Sequence, residues 1–313
     1  MRVAIVGFGV QGQKRKTVAG KDVVAIVDPV REGVTHKTLE DVPVASFDAA
    51  LLCTPDEVKI GLISYLVAHG KHVLVEKPLI ADADKALIDL ATRVKARGVT
   101  CYTAYNHRFE PNIVRMRDLL ASGRLGEIYS VRLFYGNGTA RLVRDSAWRD
   151  AGSGVLRDLG SHLLDLIRFW FGNIEPIFDV VAAKRFENRA YDHVVLAGRG
   201  RPYLQLEMSL VSWRNHFTCD VVAEKGSAHI DSLCKWGPSI FSLRTRVLPA
   251  GRPAEAQTTE AMPDPTWALE YAHFKELCRT GAGNIANDIW IDRTITTAVR
   301  DAVALDRVGA GNG

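Results

Sequence analysis

The sequence predicts an α/β domain with a doubly wound parallel sheet, followed by an α+β domain with a large, open, mainly antiparallel sheet. Three observations carry this. Short β-branched apolar runs alternate with helical spacings over the first hundred residues, a glycine-rich turn joins the first run to the first helix, and from about Glu127 strand-like runs follow one another with little helix between them. The boundary falls where the pattern changes, giving domains 1–122 and 123–313.

In the first domain the apolar runs are Val3 to Val6, Val23 to Val27, Ala50 to Cys53 and His72 to Val75. Between the last two, Ile60, Ile63, Leu66 and Val67 keep helical spacing, and Gly70 supplies a C-cap. A second helix, Ala83 to Arg97, closes at Gly98, a further run follows from Val99 to Tyr102, and Asn112 to Ser122 reads as a helix.

In the second domain strands are expected at Ile128 to Tyr135, Phe178 to Ala183, His193 to Gly198, Tyr203 to Ser212, Phe217 to Ala223 and Ser227 to Ile230, with one strong helix from Leu159 to Phe171. Final helical stretches start near Pro265-Thr266 and run from Ile289 to Leu305. Pro249 to Pro265 reads as a mobile loop and Val308 to Gly313 as a frayed tail.

Composition narrows the functional classes. The 313 residues carry a net charge of +4, with Lys and Arg dispersed apart from Lys14-Arg15-Lys16, so no basic stripe suits nucleic acid. Five cysteines without a CxxC pair read as reduced core residues of a cytoplasmic protein. The chain opens directly on a strand and has no apolar run of about 18 residues, so export and membrane insertion are not expected.

The turn Gly7-Phe8-Gly9-Val10-Gln11-Gly12 follows a strand and opens a helix. In that context the glycines permit a tight turn and close backbone approach to a pyrophosphate at the helix N-terminus, as in a Rossmann domain. Asp28, at the end of the second strand, can accept hydrogen bonds from both ribose hydroxyls of NAD and repel the extra phosphate of NADP. NAD is therefore the expected cofactor. NADP stays open, because Lys14, Arg15, Lys16 or Arg31 could meet a 2′-phosphate, the other reading of that basic run being a solvated helix face.

Lys77 lies just beyond a parallel strand, where ligand crevices of open α/β sheets form, and Pro78 fixes the chain beside it. In the second domain Asp158, His162 and Asp165 fall at i, i+4 and i+7, on one face if the helix reaches back to Asp158. Oxidising an alcohol carbon needs a base for the hydroxyl proton and a positive group near the oxygen. His162 and Lys77 can supply these, with Asp158 orienting the imidazole or binding a neighbouring hydroxyl. Asn106, after the strand at Thr100 to Thr103, could reach the cofactor or serve as a structural hydrogen-bonding group. No metal is expected.

Four segments stand in a recognisable order: Cys53-Thr54-Pro55; Gly70-Lys71-His72-Val73-Leu74-Val75-Glu76-Lys77-Pro78; Tyr105-Asn106-His107-Arg108-Phe109; and Asp158-Leu159-Gly160-Ser161-His162. Together they resemble the glucose-fructose oxidoreductase, inositol dehydrogenase and rhizopine-catabolism (Gfo/Idh/MocA) family. The resemblance is dense to about Gly172 and thinner beyond, at Trp213-Arg214-Asn215 and Glu224-Lys225-Gly226-Ser227.

It implies hydride transfer between NAD(H) and a sugar, polyol or nucleotide-sugar carbon, with substrate bound between the domains. It also implies cofactor contacts at Thr54, Pro55, Glu76, Lys77 and Asn106, and a homo-oligomer, dimer or tetramer, formed through the second sheet. Two departures stand out: Lys59 occupies a position often held by histidine, and Gly152-Ser153-Gly154 replaces a run of three glycines.

Candidate substrate contacts are Lys77, Asp158, His162, Arg141, Trp148, Arg149 and the run Lys235-Trp236-Gly237-Pro238, whose aromatic faces and cations suit a sugar; interface or core roles are the alternative. Two other functions stay open: an NAD-dependent glycosidase on the same fold, and a non-catalytic sensor of dinucleotide or sugar.

Overall fold

The computed structural model describes residues 1–81, 84–146 and 149–310. Among them the chain divides into two compact units, Met1–Asn106 with Thr266–Asp292, and His107–Pro265 with Arg293–Gly313.

The first unit is built on β1 (Val3–Val6), α1 (Val10–Ala19), β2 (Val23–Val27), β3 (Ala49–Leu52), α2 (Asp56–Ala68), β4 (His72–Glu76), α3 (Asp84–Arg97) and β5 (Cys101–Ala104). Its five strands are parallel in the order β2-β1-β3-β4-β5. Both faces are buried, which is why these strands read as unbroken apolar runs. Ala4, Val6, Leu52, Val73 and Val75 pack with Ile63, Leu66, Leu87 and Leu90 of α2 and α3. The alternate residues Val3, Ile5, Leu51 and Leu74 pack with Ala19 of α1 and with Tyr271 and Phe274.

The second unit contains α4 (Pro111–Ala121), β6 (Ile128–Gly136), α5 (Ala140–Arg144), α6 (Ser161–Phe171), and β7 (Phe178–Lys184) to β13. The strands after β7 are β8 (His193–Gly198), β9 (Tyr203–Ser209), β10 (His216–Ala223), β11 (Gly226–Asp231), β12 (Ser239–Thr245) and β13 (Ala254–Glu260). They form one eight-stranded sheet ordered β13-β12-β11-β10-β6-β9-β8-β7. Its pairings are antiparallel except for β6 with β9. One face is apolar, through residues such as Val131, Leu133, Leu206, Phe217, Cys219 and Val221. The helices α7 (Thr266–Thr280) and α8 (Ile285–Ala310) complete the chain.

The structure differs from the sequence reading in several places. The units divide at 106/107 rather than 122/123, because α4 packs on α6, β11 and β12 and Asn112 Nδ2 donates to Ser239 Oγ at 2.8 Å. Residues 266–292 return to the first unit, where α7 covers a sheet face left bare by α1 alone. The stretch expected as a mobile loop contains β13, an edge strand paired along its length with β12; its side chains are almost all exposed, so it lacks apolar alternation. The last helix continues to Ala310, beyond the expected stop at Leu305.

The five cysteines are unpaired thiols. Among the described residues no helix is long and apolar enough to cross a membrane.

Candidate active site

In the first unit, β1 runs into Gly7, whose φ of +89° suits glycine. A Cβ there would lie 2.5 Å from the Cys53 carbonyl oxygen, and one on Gly12 would lie 2.1 Å from the Gly7 oxygen. Both glycines are thus required by the packing of the turn itself. Gly9 differs: a Cβ there would meet no atom within 4 Å. Gly9 is also the N-cap of α1 and supplies no side-chain cap, so the first N–H groups of the helix keep donors for an anion.

Asp28 is fixed against this turn. Its Oδ2 accepts the Phe8 N–H at 2.7 Å, and its Oδ1 accepts the N–H groups of Val30 at 2.9 Å and Arg31 at 2.8 Å. Partial burial opposes its charge, but the N–H groups of Arg31, Phe8 and Val30 and the Arg31 charge outweigh it and hold the carboxyl below its ordinary range. An ionised acid beside a glycine turn fits the ribose end of a dinucleotide.

The basic run of α1 is not a uniform solvated face. Arg15 is buried, with Nε 2.7 Å from Glu76 Oε1 and Nη2 2.7 Å from Glu270 Oε2, and its guanidinium carbon lies 4.4 Å from the centre of the Trp267 ring. Burial works against its charge, yet Glu76 and Glu270 raise its pKa further than burial lowers it. Arg15 is therefore committed to two carboxylates rather than to a 2′-phosphate. Lys14 lies over Trp267 and Lys16 over Phe8.

Lys77 follows the last residue of β4, half-buried, with Glu76 held by Arg15 on one side and Pro78 buried on the other. Thr54 follows β3, and its buried Oγ1 has no hydrogen-bond partner among the described residues. Pro55 is the N-cap of α2. Asn106 donates through Nδ2 to Thr266 Oγ1 at 2.9 Å, which gives this side chain a structural tie.

In the second unit, Asp158 lies on a π-helical turn, Leu156–Gly160, that leads directly into α6. The helix does reach back to Asp158, with a widened turn of the kind often found at functional sites. Gly160 allows this turn to lie close to β9, since a Cβ there would sit 2.8 Å from Met208 Sδ.

His162 is buried, its ring stacked on that of His107 with centroids 4.0 Å apart and planes 18° apart. Tyr135 of β6 meets His162 edge-on at 5.8 Å, and its ring is tilted against that of Trp236 at 5.6 Å. Lys235 Nζ lies 2.7 Å from His107 Nε2. Asp158 lies 3.7 Å from Arg149 and raises the pKa of the Tyr135 hydroxyl, already pushed up by burial.

The structure thus gathers His162, Asp158, Arg149, Lys235 and Trp236 into one neighbourhood, to which His107 and Tyr135 add without a sequence signal beyond the Tyr105 to Phe109 motif. Asp165, on the same helical face, is instead spanned by Arg108 at 2.7 and 2.5 Å. Arg141 is exposed and lies 3.8 Å from Glu187. Trp148 lies outside the described residues. In the Gly152-Ser153-Gly154 segment both glycines have positive φ and keep their identity.

A second group of acid, histidine and hydroxyl lies on the sheet. Ser227 Oγ is 2.8 Å from His229 Nε2, and His229 Nδ1 is 2.6 Å from Asp220 Oδ1. β11 is paired on both sides, by β10 and β12, so its ladders consume backbone N–H groups that an acyl-transfer site would direct at an oxyanion.

A family model described as the GFO/IDH/MocA C-terminal domain matches residues 113–229. The rhizopine catabolism protein MocA of Rhizobium meliloti is 28% identical over 199 residues, covering 58% of this chain and 61% of that protein. A trans-1,2-dihydrobenzene-1,2-diol dehydrogenase of Oryctolagus cuniculus is 30% identical over 183 residues, covering 58% of this chain and 54% of that protein. The chain spans about half to three fifths of the length of these relatives. Among solved structures, a levoglucosan dehydrogenase in complex with NADH superposes with a TM-score of 0.83 at 17% identity, covering 97% of each chain, which shows a shared fold. Over residues 113–229 the chain is thus similar to the GFO/IDH/MocA C-terminal domain, and its curated relatives include MocA and an inositol 2-dehydrogenase of the same organism.

Proposed function

We propose that the protein is an NAD(H)-dependent oxidoreductase that interconverts a secondary alcohol and a ketone on a sugar, polyol or nucleotide-sugar. The observation that carries this reading is the first unit's dinucleotide cradle: Gly9 open where Gly7 and Gly12 are tight, and Asp28 held ionised beside them. Relatives described as dehydrogenases support it. Thr54, with its buried Oγ1, and Pro55 are proposed to border the cofactor, with Glu76, Lys77 and Asn106.

NAD, when bound, supplies the hydride acceptor. Lys77 stabilises the negative charge that develops on the substrate oxygen. His162 has a buried Nδ1, and Nε2 is proposed to take the hydroxyl proton. Asp158 and Arg149 hold neighbouring substrate hydroxyls, and Trp236 offers an aromatic face to the sugar ring. The reverse reaction uses the same groups as acids. The outer sheet face, where Tyr203 and Val222 are exposed, is proposed to pair with further copies of the chain.

A panel of free sugars, polyols and nucleotide-sugars tested for NAD and NADP reduction, followed by nicotinamide absorbance, checks the reading. Reduction by a panel member that is lost in Lys77→Ala and His162→Ala, both still folded, supports it. Glycoside cleavage without net NADH indicates the glycosidase, and cofactor binding without turnover across the panel indicates a sensor.

A further inference from the structure

Lys59 sits in the first turns of α2 and is 2% exposed. An ammonium has three N–H donors and no acceptor, and here there are three partners. Nζ is 2.5 Å from Asp56 Oδ1, donates to the Glu76 carbonyl at 2.6 Å and donates to the Pro78 carbonyl at 2.8 Å. The two carbonyls belong to the residues immediately before and after Lys77.

Burial lowers the Lys59 pKa, with Asp56 and Glu76 opposing the shift and Lys77 adding to it. A buried cation of this kind is an expensive way to fill space, because an apolar side chain of similar length packs there without desolvation cost. What an apolar side chain cannot do is bind two carbonyls and a carboxylate at once. Asp56 follows Thr54-Pro55 beyond β3, and Glu76-Lys77-Pro78 lies beyond β4. One ammonium therefore ties together the two segments of this unit proposed to meet the cofactor and the reacting oxygen.

We infer that Lys59 is a positioning residue: it fixes the backbone on both sides of Lys77 relative to the Thr54-Pro55-Asp56 turn, and so sets where the Lys77 ammonium stands. The inference concerns a residue at which this chain departs from the histidine often found in the family. Its link to catalysis rests on the proposed role of Lys77, whereas the tether itself does not.

The test uses the full chain and reads Lys77 directly. Wild type, Lys59→Met and the charge-balanced double variant Lys59→Met with Asp56→Asn are labelled with trace pyridoxal 5′-phosphate and borohydride. Peptides carrying Lys77 are quantified by mass spectrometry against the exposed Lys21. Circular dichroism establishes that each variant is folded, and the double variant covers a single variant that fails through the stranded Asp56 charge. A several-fold change in the Lys77 to Lys21 ratio is expected in the variants, with partial recovery in Lys59→Arg. An unchanged ratio in a folded double variant overturns the inference.

NADH fluorescence titration of the same proteins separates the two levels. Wild type that fails to bind NADH removes the functional reading while the labelling result still decides the tether. If turnover is found, kcat of the double variant is expected to fall by up to about 10²-fold, as misplacement of a reacting group predicts, with KM for NAD nearly constant. A loss confined to KM contradicts the positioning role.

Discussion

His107 and His162 lie face to face, their ring centroids 4.0 Å apart, and Lys235 Nζ approaches the Nε2 of His107 at 2.7 Å. An ammonium donating to Nε2 leaves the His107 proton on Nδ1, so the ring that supports His162 has a fixed tautomer and plane. Substituting His162→Ala is expected to lower kcat by about 10²- to 10⁴-fold, the range for loss of a general base. His107→Ala, which removes the support alone, is expected to cost less. Steady-state rates on a substrate from the panel check the order; equal losses, or a larger loss in His107→Ala, count against it.

Asp28 is proposed to set the cofactor preference. Because its carboxyl is held below the ordinary range by the N–H groups around it, it stays charged at neutral pH and opposes a 2′-phosphate. Asp28→Ser is expected to narrow the preference for NADH over NADPH by about tenfold, roughly 1.4 kcal/mol. Fluorescence titration with the two reduced cofactors measures this. An unchanged ratio of dissociation constants would mean that another group discriminates.

Arg15 holds the first unit together from inside. Removing it takes away the guanidinium shared by Glu76 and Glu270, the latter with no exposure at all. Arg15→Met is expected to cost about 3–5 kcal/mol in urea unfolding, the range for a broken buried pair. Adding Glu270→Gln should recover part of that loss, because one of the two carboxylates that lost Arg15 is then neutral. A double variant no more stable than the single one would show that the ion pair is not the reason.

Glu110 predicts a pH dependence. It is buried, its Oε2 accepts the Cys234 N–H at 3.1 Å and its Oε1 has no hydrogen-bond partner among the described residues. Burial raises its pKa, and the Cys234 N–H and Lys235 only partly offset this. With the folded pKa above the unfolded one, the folded state holds the extra proton, so stability falls as pH rises from the unfolded pKa through the folded pKa. The resulting penalty is full above the folded pKa and absent below the unfolded pKa. Glu110→Gln keeps an acceptor and is expected to be more stable at neutral pH by about 1 kcal/mol, on the scale of single substitutions. Thermal unfolding should show the gap closing below about pH 4, where an ordinary glutamate is protonated; a gap that persists there contradicts the assignment.

These cases also show where sequence reading succeeds. The five apolar runs expected in the first unit and the six strands expected in the second all form strands, because their apolar periodicity is local and strong. Asp28, Lys77 and His162 were legible as candidates because each stands at a fixed offset from a recognisable strand or helix. Arg15 was not, since it sits in a basic run and its partner Glu270 lies at the far end of the chain. Lys59 registered only as a departure from a family pattern, and its carbonyl partners leave no mark on residue type. β13 was hidden for the opposite reason: an exposed edge strand has no apolar face to betray it.

The most direct measurement of the central claim follows the hydrogen itself. A panel substrate that reduces NAD is prepared with deuterium at the reacting carbon and incubated with the enzyme, and the nicotinamide C4 position of the product is read by NMR. Hydride transfer predicts deuterium at C4 in stoichiometric amount. NADH formed without the label would contradict direct transfer, and with it the account of this site.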